Sequence, residues 1–215
     1  MAEPAPDQPV RGSRIVAAFD FDGTITTSDS LQDFVLFVVG RGRFAAGMVA
    51  AAPWLAGLLT GSCDRGDAKA HFLAATLGGM TRNELEAAAQ SFVTQRLPAL
   101  VRAEMTARVR EHAALGHQLV LVSASPALYL NLWAPGAGFQ AVLATELEFR
   151  GDRFTGNLAS PNCRSREKVV RLRQWFGSAP PDVLYAYGDS RGDREMLALA
   201  DHAWLRGRDP LVPLS

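Results

Sequence analysis

The chain has 215 residues, with 22 Lys and Arg balancing 22 Asp and Glu, 48% hydrophobic residues and 20% charged ones. That length suits one core domain plus a modest second unit, and zero net charge gives no electrostatic footprint for nucleic acid. Cys63 and Cys163 are lone thiols without CxxC spacing, which argues against a disulfide framework and fits a reducing cytoplasm.

Residues 1–13 are rich in Pro and polar side chains and lack an apolar h-region, so they read as a disordered lead-in and not a signal peptide. Residues 14–21, RIVAAFDF, form an apolar run that ends on acidic residues, as a buried parallel strand would. Two further runs of this kind are expected at 117–124 and 183–187, with shorter strands at 141–145 and 203–205. Helices are expected between them at 126–133, 166–176 and 193–200. Alternation of this kind predicts an α/β core with a mainly parallel sheet. Residues 146–158 read as a small β-hairpin turning at Arg150-Gly151-Asp152.

About a hundred residues separate the first two long strands, far more than a crossover needs. Their pattern predicts helices at 31–39, 44–59, 65–77, 82–95 and 98–115, the fourth starting at a capping box, Thr81-Arg82-Asn83-Glu84. The expected division is therefore a core of residues 14–29 and 116–215, with a helical cap, 30–115, over the sheet's C-terminal edge.

Residues 44–63 carry no charge and follow Arg41 and Arg43. As a helix they would span about 30 Å, enough for a bilayer core. The strands on either side must join one sheet, so a single crossing is excluded. Two readings stay open: a buried cap helix, or an interfacial or re-entrant segment touching lipid. Location follows as cytoplasmic, with peripheral contact at the inner membrane face under the second reading.

The strongest local signal is Asp20-Phe21-Asp22-Gly23-Thr24, directly after the first strand. A turn there brings two carboxylates toward one substrate, one as nucleophile and one as general acid and base, and Gly23 permits the tight turn. A second signal, Gly188-Asp189-Ser190-Arg191-Gly192-Asp193, leaves the third long strand and offers hard oxygen ligands that suit Mg2+. Ser123 and the amide of Ala124 can donate to phosphate at the second strand's end, and Lys168 supplies a compact positive charge. Taken singly, each is ordinary turn, cap or surface chemistry. Their order along three strand ends is what points to a site.

This set resembles the four motifs of the haloacid dehalogenase (HAD) superfamily over residues 14–29 and 116–205, and the insert is similar to its C1-type cap. VLVSASPALYL, the hairpin with Asn162-Cys163, and GDSRGDREMLALAD resemble subfamily IB, which contains phosphoserine phosphatases and a branch similar to phosphatidylglycerophosphatase C. The resemblance implies a Rossmann-like core and a Mg2+-dependent phosphomonoester hydrolase. In it Asp20 is the nucleophile and Asp22 the general acid and base; Ser123, Ala124 and Lys168 bind phosphate. Asp20, the carbonyl of Asp22, and Asp189 hold the metal, with Asp193 orienting its shell.

The substrate class left open is a lipid headgroup phosphate or a small metabolite phosphate, such as a phosphoserine-like or histidinol-phosphate-like compound. A non-catalytic binding or regulatory protein on an HAD core is the competing class. Gly192 departs from the Asn that phosphoserine phosphatases place before the last Asp, with Asn162 or Ser190 as possible replacements. Asp29 stands where those enzymes carry a substrate-reading Glu, though helix capping serves equally as its role. Lys69 could reach the cleft from the cap but is read mainly as a solvated helix residue, the four Trp as packing or cap–membrane anchors, and the four His as non-ligands.

Overall fold

The computed structural model describes residues 13–211 and 214, so nearly all of the expected N-terminal lead-in lies outside the described residues. A five-stranded sheet runs in the order β3-β2-β1-β6-β7, with every neighbouring pair parallel. Its strands are β1 (Ile15–Phe19), β2 (Gln118–Pro126), β3 (Ala141–Thr145), β6 (Val183–Gly188) and β7 (His202–Leu205). Between β3 and β6, β4 (Leu147–Arg150) and β5 (Arg153–Leu158) form the expected antiparallel hairpin, with Gly151 in the left-handed region at φ 62°.

Both faces of the sheet are covered, which explains why β1 is apolar at every position. Ala17 and Phe19 face one apolar cluster with Leu119, Leu121 and Tyr187, into which α4 (Ala103–Ala114) and α5 (Ala127–Trp133) pack. Val16 and Ala18 face the other with Val120, Val122, Leu172 and Met196, under α6 (Arg166–Phe176) and α7 (Arg194–Leu199). The period-two alternation of strand side chains thus serves two cores.

Between β1 and α4 lie α1 (Ser30–Thr60), α2 (Arg65–Leu77) and α3 (Arg82–Gln95). The two helices expected at 31–39 and 44–59 are joined as α1, broken in direction at Gly40, whose φ of 72° and ψ of 171° are non-helical. α1 packs mainly on α2, where Gly47 meets Thr76 so closely that a Cβ there would lie 2.2 Å from the Thr methyl. α2 packs in turn on β5. The hairpin is sewn to the turn before α3 by Gly79 N–H to Phe154 O at 2.9 Å and Phe154 N–H to Met80 O at 2.9 Å.

The helix expected over 98–115 begins later, at Ala103. Residues 100–102 instead run beside the chain leaving β1: Thr27 N–H bonds Leu100 O at 2.8 Å and Arg102 N–H bonds Ile25 O at 2.8 Å. That pairing is a long-range demand, which local periodicity does not register. α4 then packs against β2, on the sheet, and its His112 touches Phe19 and Tyr187.

Candidate active site

Register sets the site. Phe19 pairs with Leu121 on one side and Tyr187 on the other, so β1, β2 and β6 end at one edge. The order along the sheet reverses between β1 and β6, and the crevice outside the carboxyl ends at such a reversal is where α/β sheets bind ligands. Asp20 leaves β1 there, anchored by its N–H to Tyr187 O at 2.9 Å.

The turn after Asp20 is tight. Gly23 has φ 76°, and a Cβ at that position would lie 2.2 Å from Asp189 Oδ2. The residue is therefore needed twice, for its dihedral and for the approach of the β6 loop.

Asp20 is 6% exposed and both its oxygens are bonded. Oδ1 accepts from Lys168 Nζ at 2.5 Å and Oδ2 from Thr24 Oγ1 at 3.0 Å. Lys168, also buried, reaches Asp193 Oδ1 at 2.7 Å. Asp193 Oδ2 accepts from the N–H groups of Asp189 and Ser190 and from the Ser190 hydroxyl, at 3.0–3.2 Å. Asp193 thus holds Lys168 and the loop with one carboxylate.

Burial pushes the Asp20 carboxyl up to about 7, against the pull of Lys168. Burial alone would lower Lys168, but its two carboxylate partners raise it overall, so it stays charged. Burial and then Asp193 raise Asp189.

Asp22 points to a different set of groups. Its Oδ1 accepts from Ser30 N–H at 2.7 Å and its Oδ2 from the Ser125 hydroxyl. Ser30 Oγ in turn meets Tyr129 Oη at 2.9 Å. Burial, and next Asp29, raise the Asp22 pKa above the usual carboxyl range. Two carboxylates two residues apart therefore have separate surroundings, one cationic and one of hydroxyls.

Asp20, Asp22, Asp29, Ala124, Lys168, Asp189 and Asp193 all border one cavity of about 250 Å³. Ser123 does not line it: the residue is fully enclosed and its Oγ accepts from Ser125 N–H at 3.0 Å. Asp29 caps α1, accepting from Leu31 N–H at 3.0 Å and Gln32 N–H at 3.2 Å, while also bordering the cavity. Asn162 and Ser190 border it as well, and Asn162 Oδ1 is taken by Lys69 and Thr145.

Lys69 corrects the sequence reading. It is not a solvated helix residue: α2 folds over the sheet edge and its ammonium donates to Ala124 O at 2.7 Å and Asn162 Oδ1 at 3.0 Å. Burial pulls its pKa down to about 8. Thr24, Ser30, Ser125 and Tyr129 were also missed. Only Thr24 and Ser125, inside DFDGT and SAS, had a sequence signal; Ser30 and Tyr129 meet Asp22 only through folding. Trp133 packs on Phe21, Trp175 beside Phe176, and Trp54 stacks on His71 with ring centres 3.6 Å apart.

One carboxylate oxygen from each of Asp20, Asp189 and Asp193 lies within 4.8 Å of the others. Three hard anionic oxygen donors converging this closely fit a small divalent cation.

Residues 17–198 match the model of the haloacid dehalogenase-like hydrolases. Protein CicA of Caulobacter vibrioides is 38% identical over 195 residues, covering 89% of this chain and 86% of that protein. Among solved structures, a Bordetella pertussis Tohama I protein of unknown function is 26% identical with a TM-score of 0.77, covering 89% of each chain. A phosphoserine phosphatase captured as a phospho-aspartyl intermediate analogue is 15% identical with a TM-score of 0.64, covering 89% of this chain and 86% of that one.

Proposed function

The chain belongs to the haloacid dehalogenase-like hydrolase family, and from that premise we propose that it is a Mg2+-dependent phosphomonoester hydrolase working through an aspartyl-phosphate on Asp20. The observation that carries this reading is the contrast between its two carboxylates. Asp20 lies against Lys168 and the acidic cluster, whereas Asp22 is held by Ser30 and Ser125 with its pKa raised.

Asp20 Oδ attacks phosphorus while the ester oxygen departs in line. The elevated pKa suits Asp22 to give that oxygen a proton, then to take one from the water that hydrolyses the acyl phosphate. Ser30 and Ser125 fix the direction of that transfer. Lys168 spreads charge from the phosphoryl oxygens, and the lysine would keep Asp20 ionised once a cation sits beside it. Asp20 and Asp189, with the Asp22 carbonyl, would hold Mg2+, and Asp193 would orient that shell; the ion supplies charge neutralisation between anionic nucleophile and anionic ester. Ala124 borders the cavity and would offer its amide to the phosphate, and Ser123 accepts from Ser125 N–H behind it.

Leu31, Met48, Leu55 and Phe72 from α1 and α2 add apolar surface to the cavity lining. A lipid headgroup phosphate or a metabolite phosphate with an apolar portion fits this lining. A purely regulatory role would leave the assembled Asp20–Lys168–Asp193 cluster without a use. The test is Mg2+-dependent phosphate release from p-nitrophenyl phosphate. The parent chain turns it over, and Asp20→Asn loses at least about a thousandfold while keeping its melting temperature and circular dichroism. An Asp20→Asn protein with parental turnover would refute the mechanism.

A further inference from the structure

Besides Lys168, three cations border the cavity: Arg65 and Lys69 from α2, and Arg164 from the loop before α6. Lys69 is already engaged by two carbonyl oxygens. Arg65 and Arg164 differ, because among the described residues neither forms an ion pair or a side-chain hydrogen bond. Asp64 and Asp67 lie close by, but they are turned to the capping box of α2.

The chain takes pains to hold Arg164 where it is. Ser165 has φ 53°, the one positive value among described non-glycine residues, and its N–H bonds Gly192 O at 2.8 Å. A residue kept in that strained region is one whose surroundings over-determine it. The Arg164 guanidinium lies against Gly192: a Cβ on residue 192 would be 2.6 Å from Nη1 and 2.7 Å from Cζ. Gly192 itself has no positive φ, so its backbone does not call for glycine. A side chain there would instead push the flexible guanidinium aside.

Arg65 stands near enough that, after burial, it is the largest influence holding the Arg164 pKa below its ordinary value. Asp193, Asp20 and Asp189 pull the other way, but among the described residues none pairs directly with either guanidinium, so both keep N–H donors that an anion between them could take. Both residues also border an outer groove with Asn157, Ser160 and Pro161, so they stand where the catalytic cavity opens outward.

We propose that Arg65 and Arg164 form a second anion subsite at the mouth of the cavity. The substrate would then be a phosphomonoester with a further carboxylate or phosphate group on its leaving portion. This assignment rests on the hydrolase reading above for the word substrate, but the subsite itself is a binding claim. Arg164 would be a specificity-determining residue, and Gly192 the residue that makes room for it.

Calorimetric titration with non-hydrolysable probes of matched chain length tests it: propylphosphonate, phosphonobutyrate and propylenebisphosphonate, each with Mg2+ present. The parent binds at least one two-anion probe about tenfold or more tightly than propylphosphonate, as a charge-assisted bidentate contact would give. That preference falls toward unity in Arg65→Gln, Arg164→Gln and Gly192→Asn, and Arg164→Lys recovers part of it. The third variant acts by displacing the guanidinium. Preference for phosphonobutyrate alone identifies a carboxylate; preference for the bisphosphonate alone identifies a phosphate.

A parent without preference, or a preference that survives both Arg65→Gln and Arg164→Gln, overturns the subsite. Arg65 lies on an exposed helix start, so its variant decides the matter even if a variant in the 164–192 contact fails to fold. Phosphate release from 4-phosphooxybutyrate and propane-1,3-diol bisphosphate, which carry the second anion, is measured alongside. If the parent releases none while the preference and its loss are seen, the hydrolase reading fails and the subsite stands.

Discussion

Asp22 and Asp29 show how one neighbour can tune a proton donor. Asp22 lies above the usual carboxyl range because it is buried and because the Asp29 charge is near. As general acid it must hold a proton when the ester bond breaks, so kcat/KM for an alkyl phosphate falls as pH rises through that pKa. Asp29→Asn keeps a helix cap but removes the charge, which lowers the Asp22 pKa and moves the alkaline limb of the profile to lower pH. A limb that stays in place would show that Asp29 has no hold on Asp22. At this scale the sequence was most informative about Asp20, Asp22, Lys168, Asp189 and Asp193, because parallel strands deliver their C-terminal residues to one edge. Lys69 was misread for a matching reason: α2 reaches that edge only by folding back over it, and one helix's pattern carries no record of what it folds onto.

Among the elements, α4 carries a device that has nothing to do with chemistry at Asp20. His112 Nδ1 meets His117 Nδ1 at 2.7 Å and His112 Nε2 meets Tyr187 Oη at 2.8 Å, with Tyr185 and Arg108 also against the pair. Burial, then the neighbouring His117 and Arg108, bring His112 down to about 3, and burial lowers His117. In the unfolded chain these rings titrate near 6.5, so below that pH the unfolded state binds more protons than the folded one. Stability is therefore complete above about pH 6.5 and lost as pH falls toward the folded-state pKa. For His112 alone the loss between pH 7 and pH 5 is about 2 kcal/mol. Thermal melts at the two pH values should show His112→Gln losing less on acidification than the parent; equal losses would contradict the assignment. The pair was invisible as a motif, since His112 lies in α4 and His117 in the link to β2, and they read as two isolated residues. The break before α4 was hidden likewise, because residues 100–102 pair with a segment some seventy-five residues away, around Thr26, and do not follow their own helical pattern.

On the scale of the molecule, a sheet with helices on both faces meets a helical insert through two adjacent segments, near Thr26 and Val101. Helix α1 closes one side of the cavity, yet only 22% of its most apolar stretch is buried, and Val49 is 74% exposed. Arg41 and Arg43, within the same helix, are exposed. We propose that this face rests on an anionic lipid surface, the arginines meeting headgroups and the small apolar residues the acyl boundary. The protein should then float with vesicles containing anionic lipid, less in high salt, and Val49→Asp should reduce the floated fraction. Recovery wholly in the unfloated fraction would leave α1 as an exposed cap helix and nothing more. The α/β architecture was legible in the spacing of apolar runs, and the site's position in their endings. Which way α1 turns its apolar side was not, because a run without charges fits a core, a cap and a lipid surface alike.

The covalent step at Asp20 is the claim on which the others depend. Enzyme mixed with substrate and Mg2+, quenched in acid during turnover and digested, should yield a peptide spanning Asp20 that is heavier by one phosphoryl group, and Asp20→Asn should yield none. A protein that releases phosphate without that adduct, or carries the group on Ser123, Ser125 or any residue other than Asp20, would contradict the account.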